Sequence, residues 1–187
     1  MKVTEMHNMC EKPNANACTP YKRKSLYLLL TIPMLVMYIA IAAFLWHIRI
    51  TFFAIYIALF VSVALSMSYV CVYWRCPYIG KFAPCVGGFC LPSSQIARLL
   101  KNTKRTETRY RIFLTLAYLC FFGIILFPVY FLYAKNVVYL LGYIGIVAFY
   151  GTLFMLFICP VCGTRCVCPG GQTAVKIRET LFTRTES

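Results

Sequence analysis

Residues 50–73 read ITFFAIYIALFVSVALSMSYVCVY, 24 residues without an Asp, Glu, Lys, Arg or His. A helix of about 20 apolar residues, rising 1.5 Å each, covers the roughly 30 Å hydrocarbon core of a bilayer. A charge at its centre would cost on the order of 3 kcal/mol. Three more runs have the same character: Leu26–Trp46, Ile112–Ala134 and Val137–Ile158. Together they shift the whole composition, with 61% of residues apolar and 13% charged, against roughly 45–50% and about 25% in soluble proteins. The expected fold is all-α: an integral membrane four-helix bundle made of two tandem transmembrane hairpins, with Cys-rich juxtamembrane loops. The first run is too long for a cleavable signal peptide and lacks a small-residue cleavage site.

Charge sets the expected orientation. Of 19 Lys and Arg, only Arg49 and Lys135 fall in the tight turns within the hairpins. The rest lie in the N-terminal segment, the central loop and the C-terminal tail. The positive-inside bias then predicts both termini and the central loop in the cytosol, at a cell or plasma membrane. Trp46 and Trp74 fall at opposite ends of the first hairpin, where interfacial anchors are expected. The net charge of +14 reads as topology plus attraction to anionic lipid. Nucleic-acid binding is not expected, since no stacking platform or known motif accompanies the charge.

The chain divides into five parts. Residues 1–24 are polar, basic and without apolar period, and read as disordered cytosolic chain. Residues 25–73 form hairpin 1, residues 74–111 a cytosolic Cys-rich loop plus a basic amphipathic helix, residues 112–158 hairpin 2, and residues 159–187 a cytosolic Cys-rich knuckle and tail. Within the loop, residues 74–92 read as turns. After them Ser93 or Ser94 would cap a helix whose Ile96, Leu99 and Leu100 share a face resting on the leaflet. Small-residue spacings in span 2 (Ala54, Ala58, Ser62, Ser66) and in span 4 (Gly142, Gly145, Gly151) predict close helix contact. Pro33 and Pro128 predict kinks or loosened turns.

A pattern repeats at the ends of the hairpins. Cys76-Pro77-Tyr78-Ile79-Gly80 leads to Cys85, and Cys159-Pro160-Val161-Cys162-Gly163 leads to Cys168, both as C-P-x-x-G-x-x-x-x-C. The repetition outlines a tandem duplication. Cys120 lies inside a span, where a lone thiol serves as a small apolar side chain. Eight cysteines gather at one membrane face: Cys71, Cys76, Cys85, Cys90, Cys159, Cys162, Cys166 and Cys168. Thiolates are soft donors suited to zinc, copper(I) or iron, and Cys-x-x-Cys sets two sulfurs on one tight turn. A following Gly allows the positive φ that aims backbone N–H groups at sulfur. The segment Cys159–Gly163 resembles the zinc-ribbon and rubredoxin knuckle C-P-x-C-G, a resemblance that implies a bound metal without naming it. The first copy has Ile79 where the knuckle has its second Cys, so shared sites between the copies are expected. Structural disulfides are rare in the cytosol, which favours metal there.

The expected cofactor is therefore an iron–sulfur cluster or Zn²⁺. The leading functional expectation is electron transfer at the cytosolic membrane face, with a soluble redox partner or a membrane complex subunit, because eight thiols exceed one structural zinc. A structural zinc-binding scaffold is the alternative. A quinone-linked thiol–disulfide oxidoreductase is the third reading, set against the charge topology because such enzymes work on the oxidising side. A metal-ion carrier is a fourth, weakened by spans without His, Asp or Glu. With no Asp in the chain and His only at positions 7 and 47, a hydrolase triad is excluded; no nucleotide-binding fingerprint occurs.

Overall fold

In lipid no water satisfies the backbone, so an apolar run closes its own hydrogen bonds as a helix. The computed structural model describes residues 24–76, 78–80, 90–103, 106–162 and 169–183. Its helices are α1 (Lys24–Ile48), α2 (Ile50–Tyr73), α3 (Cys90–Leu99), α4 (Glu107–Lys135), α5 (Val137–Leu153) and α6 (Pro169–Thr183). A π-helical turn at Phe154–Ile158 and a 3₁₀ turn at Cys159–Val161 continue α5. The described residues contain no strand. Among the described residues four helices are long and apolar enough to cross a membrane, the fourth being α5 with its π turn, and they mark an integral, multi-pass membrane protein. Of the N-terminal segment expected to be disordered, residues 1–23 lie outside the described residues, and Lys24 opens α1.

One extended residue reverses the chain in each hairpin. Arg49 has φ −159° and ψ 138°, and Asn136 has φ −171° and ψ 136°. Their backbone bonds match one for one. Arg49 N–H donates to Leu45 C=O and Asn136 N–H to Leu132 C=O, both at 3.0 Å. The Arg49 carbonyl accepts from Phe52 at 3.1 Å and Phe53 at 3.4 Å, and the Asn136 carbonyl accepts from Tyr139 and Leu140 at the same two distances. They differ in their caps. Asn136 Oδ1 accepts from Val138 N–H at 2.9 Å, whereas Arg49 makes no side-chain cap.

Ring contacts record how the helices run. Tyr38 meets Phe60 and Trp46 meets Phe53 across the first turn, so α1 and α2 are antiparallel. Between α2 and α4, Phe52 meets Phe131, Tyr56 meets Phe127, Tyr69 meets Phe113 and Tyr73 stacks on Tyr110, an antiparallel seam along both helices. Tyr27 on α1 meets Phe154 beyond α5. All four share one core, to which α1 contributes Tyr27, Leu30, Met34, Ile41 and Leu45 at helical spacing. The opposite faces expose Leu29, Val36, Ile39, Leu119 and Leu126, as expected of lipid-facing surface.

Several local expectations are corrected. Cβ atoms built at Gly142, Gly145 and Gly151 would meet nothing within 4 Å, so these glycines make no close helix contact among the described residues. Of the stripe Ala54, Ala58, Ser62 and Ser66 in α2, Ser66 is the buried member, and Ala54 and Ala58 are exposed. Close approach instead occurs at Gly123 of α4, where a Cβ would lie 3.4 Å from Leu59. Ser93 and Ser94 are not caps: α3 starts at Cys90, and both serines are buried with Ala97 where α3 packs on the end of α2. Leu99, placed on the same apolar face by sequence, is 84% exposed. The tail is helical over Pro169–Thr183, with Pro169 in its first turn and buried Gly171 and Ala174 one turn apart.

Candidate metal centre

The first knuckle is built by the way α2 ends. Arg75 takes a left-handed conformation, φ 51°, just past the C-cap Trp74. Its N–H then donates to Val72 C=O at 3.2 Å, and Cys76 N–H donates to Cys71 C=O at 3.0 Å. This pair of bonds is a Schellman motif, with Arg at the position glycine usually holds. The reversal folds Cys76 back over Cys71.

The Cys71 thiol donates a hydrogen bond to the Cys76 sulfur, which holds the Cys76 thiol below its ordinary pKa; burial opposes this, and the Tyr78 N–H donating to the same sulfur reinforces it. A backbone N–H therefore does point at sulfur, as a metal knuckle requires. It comes from Tyr78 and not from the glycine. Gly80 has the expected positive φ, 72°, but its N–H donates to Ser94 C=O at 3.0 Å and so ties the knuckle to α3.

The second knuckle follows the π turn. Widening the helix at Phe154–Ile158 ends α5 in an irregular turn, a feature frequent at functional sites. Cys162 N–H then donates to Cys159 C=O at 3.3 Å, closing the tight turn that Cys-x-x-Cys predicts. Helix α6 packs over this turn.

The two knuckles meet around Tyr78. Tyr78 and Cys162, 2% and 9% exposed, form one buried cluster against which Met67 and Cys76 pack. Cys71, Val72 and Ala97 form an adjoining cluster, and Cys76 packs against that one as well. Cys76 thus stands between Cys71 of its own half and Cys162 of the other half. Cys71, Cys76, Cys120, Cys159 and Cys162 are not disulfide-bonded. Cys120 lies in the helix core, away from these clusters.

Among the described residues, no three Cys, His or Glu side chains are close enough together to hold one ion. Of the eight cysteines singled out by sequence, Cys71, Cys76 and Cys162 fall in adjoining clusters, and Cys159 shares a turn with Cys162. Cys90 opens α3, with its side chain outside the description; Cys85, Cys166 and Cys168 lie outside the described residues. Two neighbours went unread in the sequence. Met67 offers a soft thioether and precedes Cys71 by one helical turn, a spacing that could have flagged it. Tyr78 carries no such signal, since its role comes from contact across the two halves. Comparison with protein-family models, with curated proteins and with solved structures returned no match.

Proposed function

We propose that this integral membrane protein carries a metal–thiolate centre at the end of its helices where the two knuckles lie, and that an iron–sulfur type centre there serves electron transfer. The packing of Cys76 against both the cluster that holds Cys71 and the Tyr78–Cys162 pair supports the reading, because it joins a thiol of the first half to the second knuckle. The lowered pKa of Cys76 and the N–H aimed at its sulfur favour a thiolate ready to bind. Cys85, Cys90, Cys166 and Cys168 flank these turns in sequence and would complete the ligand set, giving more thiolates than one structural ion needs. Such a centre would serve a soluble redox partner or a membrane subunit. The face is cytosolic in this reading, because the basic residues cluster with it.

A second reading has its own support. The turn Cys159–Cys162 is closed and packed under α6, which suits a structural Zn²⁺ stapling the hairpins. In both readings the two similar hairpins, with matching turns and repeated knuckles, descend from an internal duplication.

Anaerobic purification followed by metal analysis and a visible spectrum tests this. Iron with a visible band that bleaches on reduction supports electron transfer; colourless protein with zinc supports the staple. Protein without iron, zinc or copper overturns both.

A further inference from the structure

At the hairpin-turn end, away from the thiols, an open cleft of about 470 Å³ runs between α1, α4 and α5. That size falls within the roughly 300–1,000 Å³ of small-molecule sites. Met37, Ile41 and Phe44 line it from α1, Tyr139 and Gly142 from α5, and Lys135 from the end of α4. From Val138 to Ile146 it extends about 12 Å along α5, at 1.5 Å per residue. The lining is almost wholly apolar, with one full charge at one end. That charge has no acid near it in sequence: no residue from 108 to 178, and none from 12 to 106, is Asp or Glu. An apolar slot with a cation at its membrane-boundary end matches an amphiphile with an apolar tail and an anionic head.

We propose that this cleft holds an acyl chain of an anionic phospholipid, with the headgroup phosphate against the Lys135 ammonium and the Tyr139 phenol. The open backbone at Gly142 leaves room for the chain. The same observation makes the test clean, because Gly142 lines the slot and a Cβ added there meets no described atom within 4 Å. Lys135 supplies selectivity for charge, and the slot supplies retention. One Lys near an anionic headgroup gives about a five-fold preference.

The experiment is native mass spectrometry of the full chain released from nanodiscs containing equal phosphatidylglycerol and phosphatidylcholine of the same chain length. Wild type retains phosphatidylglycerol preferentially. Lys135→Gln loses about five-fold of that preference, Gly142→Leu loses retention of both lipids, and Arg49→Gln, which lies in the other turn and outside the cleft, changes neither. Circular dichroism checks that each variant keeps its helices. A benzophenone amino acid at position 142 gives an independent readout, and its photoproduct is lipid-sized. Equal retention of the two lipids by wild type overturns the proposal. So does retention by Gly142→Leu, or a photoproduct of protein-dimer mass, which would assign the slot to a second copy.

Discussion

The N–H of Cys76 reaches the carbonyl of Cys71 at 3.0 Å, and this bond turns the end of a membrane helix into a thiol pair. It exists because Arg75 accepts a left-handed backbone. A non-glycine residue there carries a penalty of about 1 kcal/mol. Arg75→Gly should stabilise the protein by about 0.5–1 kcal/mol, measured by unfolding in mild detergent, while leaving Cys76 where it is. Arg75→Val should lower stability, because a β-branched residue tolerates that region least.

Cys76 should react as a thiolate at lower pH than an ordinary cysteine. In metal-free protein, iodoacetamide labelling resolved by peptide should give Cys76 a midpoint below the usual value of about 8.5. Cys71→Ala should raise that midpoint, because the donor to the Cys76 sulfur is lost; Cys71→Ser should largely keep it. The sign of the linked stability follows. A thiol whose folded pKa is lowered adds stability as pH rises from that lowered value to its ordinary one, and the contribution disappears as pH falls through the lowered value. A Cys76 midpoint at or above the ordinary value would contradict the geometry.

Tyr143 of α5 donates to the carbonyl of Ile125 in α4 at 2.9 Å. The acceptor lies beside Ile124, whose carbonyl is left without its helical partner by Pro128. Hydrogen bonds between membrane helices average about 0.6 kcal/mol and reach about 1.7 kcal/mol. Tyr143→Phe should cost an amount in that range in detergent unfolding, and Pro128→Ala in the same background should recover part of it.

The two hairpin turns share their backbone bonds and differ in one cap. Asn136→Ala should cost about 0.5–2 kcal/mol through loss of the bond to Val138 N–H. Arg49→Asn should install the equivalent cap on α2 and add up to about 1 kcal/mol. Stability of the single and double variants checks both directions; no gain at Arg49→Asn would show that the matched backbone does not carry a matched cap.

How much of this was legible beforehand depends on range. Uncharged runs of bilayer length read directly as helices, because burying an unpaired charge or backbone group in hydrocarbon costs more than any tertiary contact can return. The helix limits at Ile50–Tyr73 and Val137–Ile158 are those of the sequence, and α4 starts earlier than expected, at Glu107, with Tyr110 of its first turn stacked on Tyr73 of α2. The tight turn at Cys159–Cys162 was also local and readable. Contact between small residues was misread. Gly142, Gly145 and Gly151 permit close packing, but permission names no partner, and the seam formed instead through the rings of α2 and α4.

By itself, then, the amino-acid order determined four apolar helices, two reversals and the tight turn at Cys159–Cys162, all properties of short windows governed by solvation and backbone geometry. Only the tertiary structure decided that Tyr78 and Cys162 share a cluster against which Cys76 packs, that Ser93 and Ser94 are buried and do not cap a helix, and that α1, α4 and α5 leave a slot beside Lys135. These depend on which faces meet across the chain, and helices that are apolar all round carry no stripe from which that choice can be read.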